Sequence, residues 1–278
     1  MASSLPLFTI PIPPSSSSSG SITCTTPAPR VYLLTFSSPP DNRLTTSFCA
    51  ALLLALDALE FSQHPPGILI TTSGLAKFYS NGLDLEHATT TPGFWTDSLY
   101  AVFRRLATYP MPTLALINGH AFAGGLMLAM YHDYRLFNPT RGFLCLNELD
   151  FGYALKPAMS SIFRQKLADP AVYRALVLEA RRFAAPEALR GGLVDALGAL
   201  PEALALIADR KLSDKAASGI YGLMRAEMLR ETLALLDGHE REEKRDAAIK
   251  GAEDRRREEG SRRVAKWNGE AARGKAKL

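Results

Sequence analysis

Between Thr113 and Tyr131 the chain is almost wholly apolar, but the run is interrupted by Asn118, His120 and three glycines, Gly119, Gly124 and Gly125. A membrane-spanning helix needs about 20 unbroken apolar residues. This stretch falls short of that and ends in His132-Asp133. It reads instead as a buried strand, Leu114–Ile117, that passes through Asn118-Gly119 into a helix over about Gly124–Tyr131. No membrane span is expected.

The rest of the chain extends this pattern. Arg30–Phe36 and Gly67–Thr72 are β-branched and apolar and read as strands. Thr45–Phe61 carries Leu52, Leu53, Leu56 and Leu59 at helical spacing. Trp95–Tyr109 reads as a helix stopped by Pro110 and Pro112. Tyr134–Phe137 and Phe143–Cys145 are short strands. Residues 11–29 are rich in Pro and Ser and read as a loop, framed by a short strand at Leu7–Ile10. After residue 155 only helical patterns follow: Ser160–Leu167, Ala171–Arg181, Pro186–Gly191, Glu202–Lys211 and about Gly219–Leu236. Strands alternating with helices, then helices alone, imply an α/β core with a helical C-terminal part. The boundaries are a lead-in at 1–29, a core at 30–200 and a helical region at 201–278 that ends in a charged tail.

The charge is uneven. Of 32 Lys and Arg against 28 Asp and Glu, 13 basic and 9 acidic residues lie from Glu240 onward, so the rest of the chain is balanced. Mixed signs at this density describe a solvated helix face better than a nucleic-acid-binding arm, and no nucleic-acid partner is expected. Cys24, Cys49 and Cys145 are widely spaced, which fits a reducing compartment and gives neither a disulfide frame nor a zinc site. No positively charged stretch precedes an apolar one at the N-terminus, so no signal peptide is expected. The last residues, Ala276-Lys277-Leu278, resemble a peroxisomal address.

The chemistry concentrates in three segments. Phe78-Tyr79-Ser80-Asn81-Gly82-Leu83-Asp84-Leu85 and Asn118-Gly119-His120-Ala121-Phe122-Ala123-Gly124-Gly125 each carry glycine turns that expose backbone N–H groups. Gly124-Gly125 opens a helix, so free N–H groups and the positive helix end point the same way. Downstream, Leu146-Asn147-Glu148-Leu149-Asp150-Phe151-Gly152 supplies a carboxylate. One base facing two N–H donors suits moving a proton beside a carbonyl.

These segments resemble the two oxyanion-hole segments of the crotonase (enoyl-CoA hydratase/isomerase) superfamily. Pro39-Pro40-Asp41-Asn42-Arg43-Leu44 resembles its first turn, and Ala184-Ala185-Pro186-Glu187-Ala188-Leu189-Arg190-Gly191-Gly192-Leu193-Val194-Asp195 its late helix–turn block. The likeness runs from about residue 30 to 200. Within the superfamily it leans to the peroxisomal Δ3,Δ2-enoyl-CoA isomerases, in Ser80-Asn81-Gly82 and in His132-Asp133-Tyr134-Arg135. The resemblance implies an α/β fold, the crotonase (ClpP-like) spiral of ββα units followed by helices that mediate trimers or hexamers. It assigns the oxyanion donors to the backbone N–H groups of Leu83 and Gly124, with Ala123 replacing the first glycine of the family's triple-glycine turn. It makes Glu148 the catalytic base. The second glutamate of family hydratases falls on Met127, which cannot exchange a proton.

The implied activity is therefore Δ3,Δ2-enoyl-CoA isomerisation in fatty acid β-oxidation in the peroxisome. The substrate is an acyl-CoA, no metal or cofactor is needed, and an import receptor would read Ala276-Lys277-Leu278. Substrate contacts are expected from Lys77, Ser80, Gly82, Asp84 and Met127. An enoyl-CoA hydratase, an acyl-CoA thioester hydrolase and a non-catalytic acyl-CoA-binding member are the alternatives. So are other residue roles. Asp150 would share a strand face with Glu148 and is the second candidate base. Ser80, His120 and Asp133 supply the residue types of a hydrolytic triad, although His120 reads more simply as a turn histidine bonded to backbone. Asp84 reads as a helix cap, and Phe94, Trp95 and Tyr100 as core or as lining of an acyl tunnel.

Overall fold

The structure is a computed structural model and describes residues 5–14 and 19–275. Ten strands are described: β1 (Phe8–Ile12), β2 (Gly20–Ala28), β3 (Val31–Ser37), β4 (Ile68–Ser73), β5 (Phe78–Ser80), β6 (Thr113–Ile117), β7 (His120–Phe122), β8 (Tyr134–Phe137), β9 (Leu144–Cys145) and β10 (Ala196–Leu197). The helices through the core are α1 (Thr46–Phe61), α2 (Leu85–Thr90), α3 (Tyr100–Ala107) and α4 (Gly124–Met130). Beyond it come α5 (Pro157–Lys166), α6 (Pro170–Leu178), α7 (Ala185–Arg190), α8 (Leu200–Asp209), α9 (Tyr221–Met228), α10 (Arg230–Asp237) and α11 (His239–Lys275).

Two sheets organise the chain. The larger runs β1-β2-β3-β4-β6-β8-β10 and the smaller β5-β7-β9. The first two pairings of the large sheet are antiparallel, and its remaining pairs are parallel. Strands β4 and β6 are buried along their whole length. That is why Ile68–Ile70 and Leu114–Ile117 read as continuous apolar runs rather than alternating ones.

The chain repeats one move three times. A strand of the large sheet is followed by a strand of the small one and then by a helical turn: β4-β5-α2, β6-β7-α4, and β8-β9 followed by a 3-10 turn at Glu148–Phe151. Because the small sheet is parallel, all three of its strands end at the same edge. Leu83, Gly124 and Glu148 each lie two or three residues past one of those strand ends. Topology alone brings the three sequence-predicted site positions to one place.

Four local expectations are revised. Residues 11–29 hold a true strand, β2, which pairs with both β1 and β3 and buries Ile22 and Cys24. Its Ser, Thr and Pro content hid the alternation. The helix expected from Trp95 begins as a π-helical turn at Phe94–Leu99 before α3. The helix expected over 219–236 is two, broken at Leu229. Asp150, expected to share a strand face with Glu148, lies instead with it in the 3-10 turn Glu148–Phe151.

The chain divides into two compact units, Met1–Leu236 and Asp237–Leu278. In the second, α11 is continuous and laced with ion pairs at helical spacing, such as Arg256–Glu253 and Arg263–Glu259. Such pairs support a helix that has few apolar anchors. No helix among the described residues is long and apolar enough to cross a membrane. The C-terminal triplet Ala276-Lys277-Leu278 lies outside the described residues.

Candidate active site

The turn after β5 is shaped by Gly82, at φ 83°. A Cβ there would come within 2.8 Å of Phe122 O and 3.0 Å of Gly124 N, so only glycine lets the first turn lie against the second. Gly125 is packed closer still, since its Cβ would meet Ser80 O at 2.3 Å. These two glycines bring the N–H groups of Leu83 and Gly124 into one neighbourhood. Gly124 is the first residue of α4, where backbone N–H groups have no intrahelical acceptor. Among the described residues no acceptor takes the N–H of Leu83 or of Gly124. Ala123, between β7 and α4, stands at φ 48° and ψ −124°, a conformation that L side chains resist.

Leu83, Ala123 and Glu148 line a cavity of about 570 Å³, together with Asp41, Arg43, Asp84 and Asn147 among others. Glu148 is 8% exposed, and its Oε2 has no hydrogen-bond partner among the described residues. Burial penalises the charged form and pushes the carboxyl up to about 7, against a smaller opposing pull from its own backbone N–H. Glu148 and Tyr153 also border a second cavity of about 320 Å³, walled by Leu146, Leu155, Val177 and Leu178. The carboxylate thus stands between two cavities, both of mixed lining.

The other predicted residues sort by position. Asp84 lines the first cavity and also caps α2, accepting from His87 N at 3.0 Å. Ser80, Gly82, Gly124 and Met127 are not among the lining residues. The Ser80 hydroxyl donates to Asn42 O at 2.7 Å, and Met127 is buried in α4. Lys77 is exposed at the head of β5, with Nζ 5.2 Å from the centre of the Phe78 ring, and it lines neither cavity.

Asp150 is exposed and lines neither cavity. In a 3-10 turn residues two apart do not share a face as they would in a strand. His120 Nδ1 takes the Phe143 N–H at 3.1 Å, the backbone role expected of it. Asp133 pairs with Arg225 and accepts from Thr113, so Ser80, His120 and Asp133 have separate partners and form no triad. Phe94 and Tyr100 are core, and Trp95 stacks on Tyr153 at 6.4 Å.

Sequence reasoning did not assign roles to Arg43, Asp41 and Asn147. Arg43 is the cation among the described residues lining the cavity. Asp41 Oδ1 and Asn147 Oδ1 are buried there with no partner among the described residues. The only signal was that Asp41 and Arg43 flank the Asn42 of the first turn.

The arrangement can hold a carbonyl oxygen at two backbone donors and exchange a proton beside it. Residues 28–249 match the family model described as enoyl-CoA hydratase/isomerase. An Arabidopsis thaliana protein named peroxisomal enoyl-CoA delta isomerase 1 is 34% identical over 215 residues, covering 73% of this chain and 88% of that one. Its relative, peroxisomal enoyl-CoA delta isomerase 2, is 32% identical and covers 74% and 91%. The crystal structure of human mitochondrial delta3-delta2-enoyl-CoA isomerase superposes with a TM-score of 0.71 at 26% identity, covering 82% of this chain and 91% of that one.

Proposed function

The chain belongs to the enoyl-CoA hydratase/isomerase family, and from that premise we propose that it is a Δ3,Δ2-enoyl-CoA isomerase of fatty acid β-oxidation. The thioester carbonyl oxygen of a 3-enoyl-CoA accepts from the N–H groups of Leu83 and Gly124. Glu148, as carboxylate, removes a proton from C2. The C2–H electron pair and the C3–C4 double bond become a dienolate whose charge rests on the thioester oxygen. Glu148 then returns the proton to C4, leaving the double bond between C2 and C3. Every proton and electron pair stays within substrate and base, so the mechanism uses no metal or redox group. Coenzyme A is part of the substrate.

The observation that carries this reading is Glu148, a buried carboxylate at the cavity whose Oε2 has no hydrogen-bond partner among the described residues and whose carboxyl is pushed up to about 7. By the family resemblance, the place of a hydratase's second glutamate falls on Met127, which cannot exchange a proton. Hydration needs both an activated water and a proton for carbon, whereas a double-bond shift needs one base that reaches C2 and C4. Two preorganised donors at the oxygen are each worth about 2.7–4 kcal/mol of transition-state stabilisation in comparable sites.

A peroxisomal location fits the names of the Arabidopsis relatives, with Ala276-Lys277-Leu278 as the segment an import receptor would read. A homotrimer or hexamer fits the exposed apolar side chains Ile220, Leu223, Met224 and Met228 around α9.

The test is to mix purified protein with a 3-enoyl-CoA and follow the ultraviolet absorbance of the conjugated 2-enoyl thioester. A parallel reaction offers 2-enoyl-CoA and water. Conjugation without hydration is expected. Hydration alone, release of free thiol, or binding without turnover would each overturn the isomerase in favour of a hydratase, a hydrolase or a binding protein.

A further inference from the structure

The first turn of the chain, Asp41–Leu44, is stitched to the first oxyanion segment more densely than packing requires. The carbonyl of Gly82 accepts from Leu44 N at 2.9 Å, and the carbonyl of Leu83 accepts from Arg43 Nη1 at 2.7 Å. The peptide groups on both sides of Leu83 are therefore held by two consecutive residues. Arg43 is itself held, because its Nε donates to Asp41 Oδ2 at 3.0 Å. The same oxygen takes Asn81 Nδ2 at 2.6 Å, and Asn81 N donates to Asp41 O at 2.9 Å. The bonds close a ring from Asp41 through Arg43 and Leu83 to Asn81 and back.

Gly82 lies inside this ring. It is the residue with the most backbone freedom, and its φ of 83° is one that few other residues would hold. Rotation about Gly82 would swing the Gly82–Leu83 peptide and turn the Leu83 N–H away from Gly124. Close packing of Gly82 on the Phe122–Gly124 turn limits this swing, and the hydrogen bonds on both flanking carbonyls limit it further.

Resting on the isomerase reading above, we infer that Arg43, held by Asp41, is a positioning residue that fixes the Leu83 N–H toward the thioester oxygen. It touches the main chain of the donor rather than the reacting atoms. Its contribution is to keep one oxyanion donor aligned before the charge develops, which is where such donors gain their effect.

The experiment compares wild type with Arg43→Met and Arg43→Lys, with Asp41→Asn as a second way to loosen the ring if Arg43→Met fails to fold. Arg43→Met is expected to lose about 10- to 100-fold in kcat, the scale of an oxyanion donor displaced by about 1 Å. KM is expected to stay within about twofold, because the lost interaction acts mainly in the transition state. Arg43→Lys is expected to recover part of the loss. A second readout separates positioning from folding and from substrate binding. Glu148 should deprotonate C2 of a bound 3-oxoacyl-CoA, and the enolate absorbs in the ultraviolet. The enolate fraction should fall in step with kcat, while the affinity for a saturated acyl-CoA and the melting temperature stay unchanged.

An unchanged kcat would overturn the inference. So would weakened binding of the saturated acyl-CoA with an unchanged enolate fraction, which would make Arg43 a contact to the anionic part of coenzyme A. If wild type enolises the 3-oxoacyl-CoA but does not isomerise a 3-enoyl-CoA, the isomerase reading fails and the inference stands or falls on the enolate alone.

Discussion

Glu148 and Asp133 are both largely buried carboxylates, and they are set in opposite ways. Asp133 Oδ2 accepts from Thr113 N at 2.8 Å and from Thr113 Oγ1 at 3.1 Å, and Oδ1 lies 3.0 Å from Arg225 Nε. Glu148 has an oxygen with no partner among the described residues, and its carboxyl is pushed up to about 7. Arg225 Nη2 donates to Tyr131 O, and Lys166 Nζ donates to Met130 O and His132 O, so cations gather at the C-terminal end of α4. The N-terminal end of the same helix carries Gly124. One buried acid anchors the helix that presents a donor. The other waits at the cavity for a proton. Burial with partners makes a structural joint, and burial without them makes a base.

The largest expected effect falls on the unpartnered acid. Glu148→Gln should lower kcat for 3-enoyl-CoA by about 10²–10⁴-fold, the range of a positioned general base. Binding of a saturated acyl-CoA, measured by calorimetry, should survive. Turnover within a few-fold of wild type would break the comparison at its first term.

Stability should move the other way. Asp133→Ala leaves Arg225 buried beside a missing charge and should cost about 3–5 kcal/mol in urea denaturation. Glu148→Gln should instead stabilise the protein at pH 8. The sign follows from linkage. A carboxyl whose folded pKa is raised from the ordinary 4.5 to about 7 gives a folded state that holds its proton more tightly than the unfolded one. That favours folding at low pH, and the advantage is lost as pH rises through 7. Above it the wild type carries a desolvated charge that costs on the order of 3 kcal/mol, which the amide removes. The stabilisation should shrink between pH 7 and pH 4.5. Two destabilised variants would show that Glu148 has a partner after all.

The same displacement fixes the pH profile. Only the carboxylate can take a C2 proton, so kcat/KM should rise with pH and level off above an apparent pKa of about 7. An acid limb near the ordinary 4.5 would mean that the carboxylate is well solvated in solution. His132 does not compete for this limb. Burial pushes it down to about 3, against the bond to Leu128 O, so it stays neutral.

How much of this was legible in the sequence depends on whether a feature is local or spatial. The apolar strands β4 and β6, the glycine turns and the cap at Asp84 are local, and their residues announce them. The strand β2 was obscured because Ser, Thr and Pro occupy its half-buried positions while only Ile22 and Cys24 are fully buried. Asp150 was misplaced because a 3-10 turn and a short strand look alike over four residues. Glu148, Leu83 and Gly124 were found through a resemblance, and the reason they converge, three parallel strand ends at one edge, exists only in the fold. Arg43 was unassigned because its acceptor, Leu83 O, is 40 residues away. The separate partners of Asp133 and Glu148 were equally invisible, since those of Asp133, Thr113 and Arg225, lie far from it along the chain.

The smallest effect concerns the link between the two ends of α4. Ala123 occupies φ 48° and ψ −124°, where a side chain costs about 1–3 kcal/mol. Ala123→Gly would relieve that strain but would add unfolded-chain entropy worth roughly 0.4–1 kcal/mol. The net expectation is a gain of about 1 kcal/mol, whereas Ala→Gly in ordinary helix or strand positions loses about 0.5–1 kcal/mol. Because Ala123 N donates to Cys145 O at 2.9 Å, the turn also ties β7 to the strand that leads to Glu148. That bond survives the substitution, so kcat should change by no more than a few-fold. A loss of stability in urea denaturation would mean that the backbone there relaxes in solution. A large loss of kcat with stability gained would mean instead that the strain at Ala123 helps to aim the Gly124 N–H, and would move this turn from the structural side of the comparison to the chemical one.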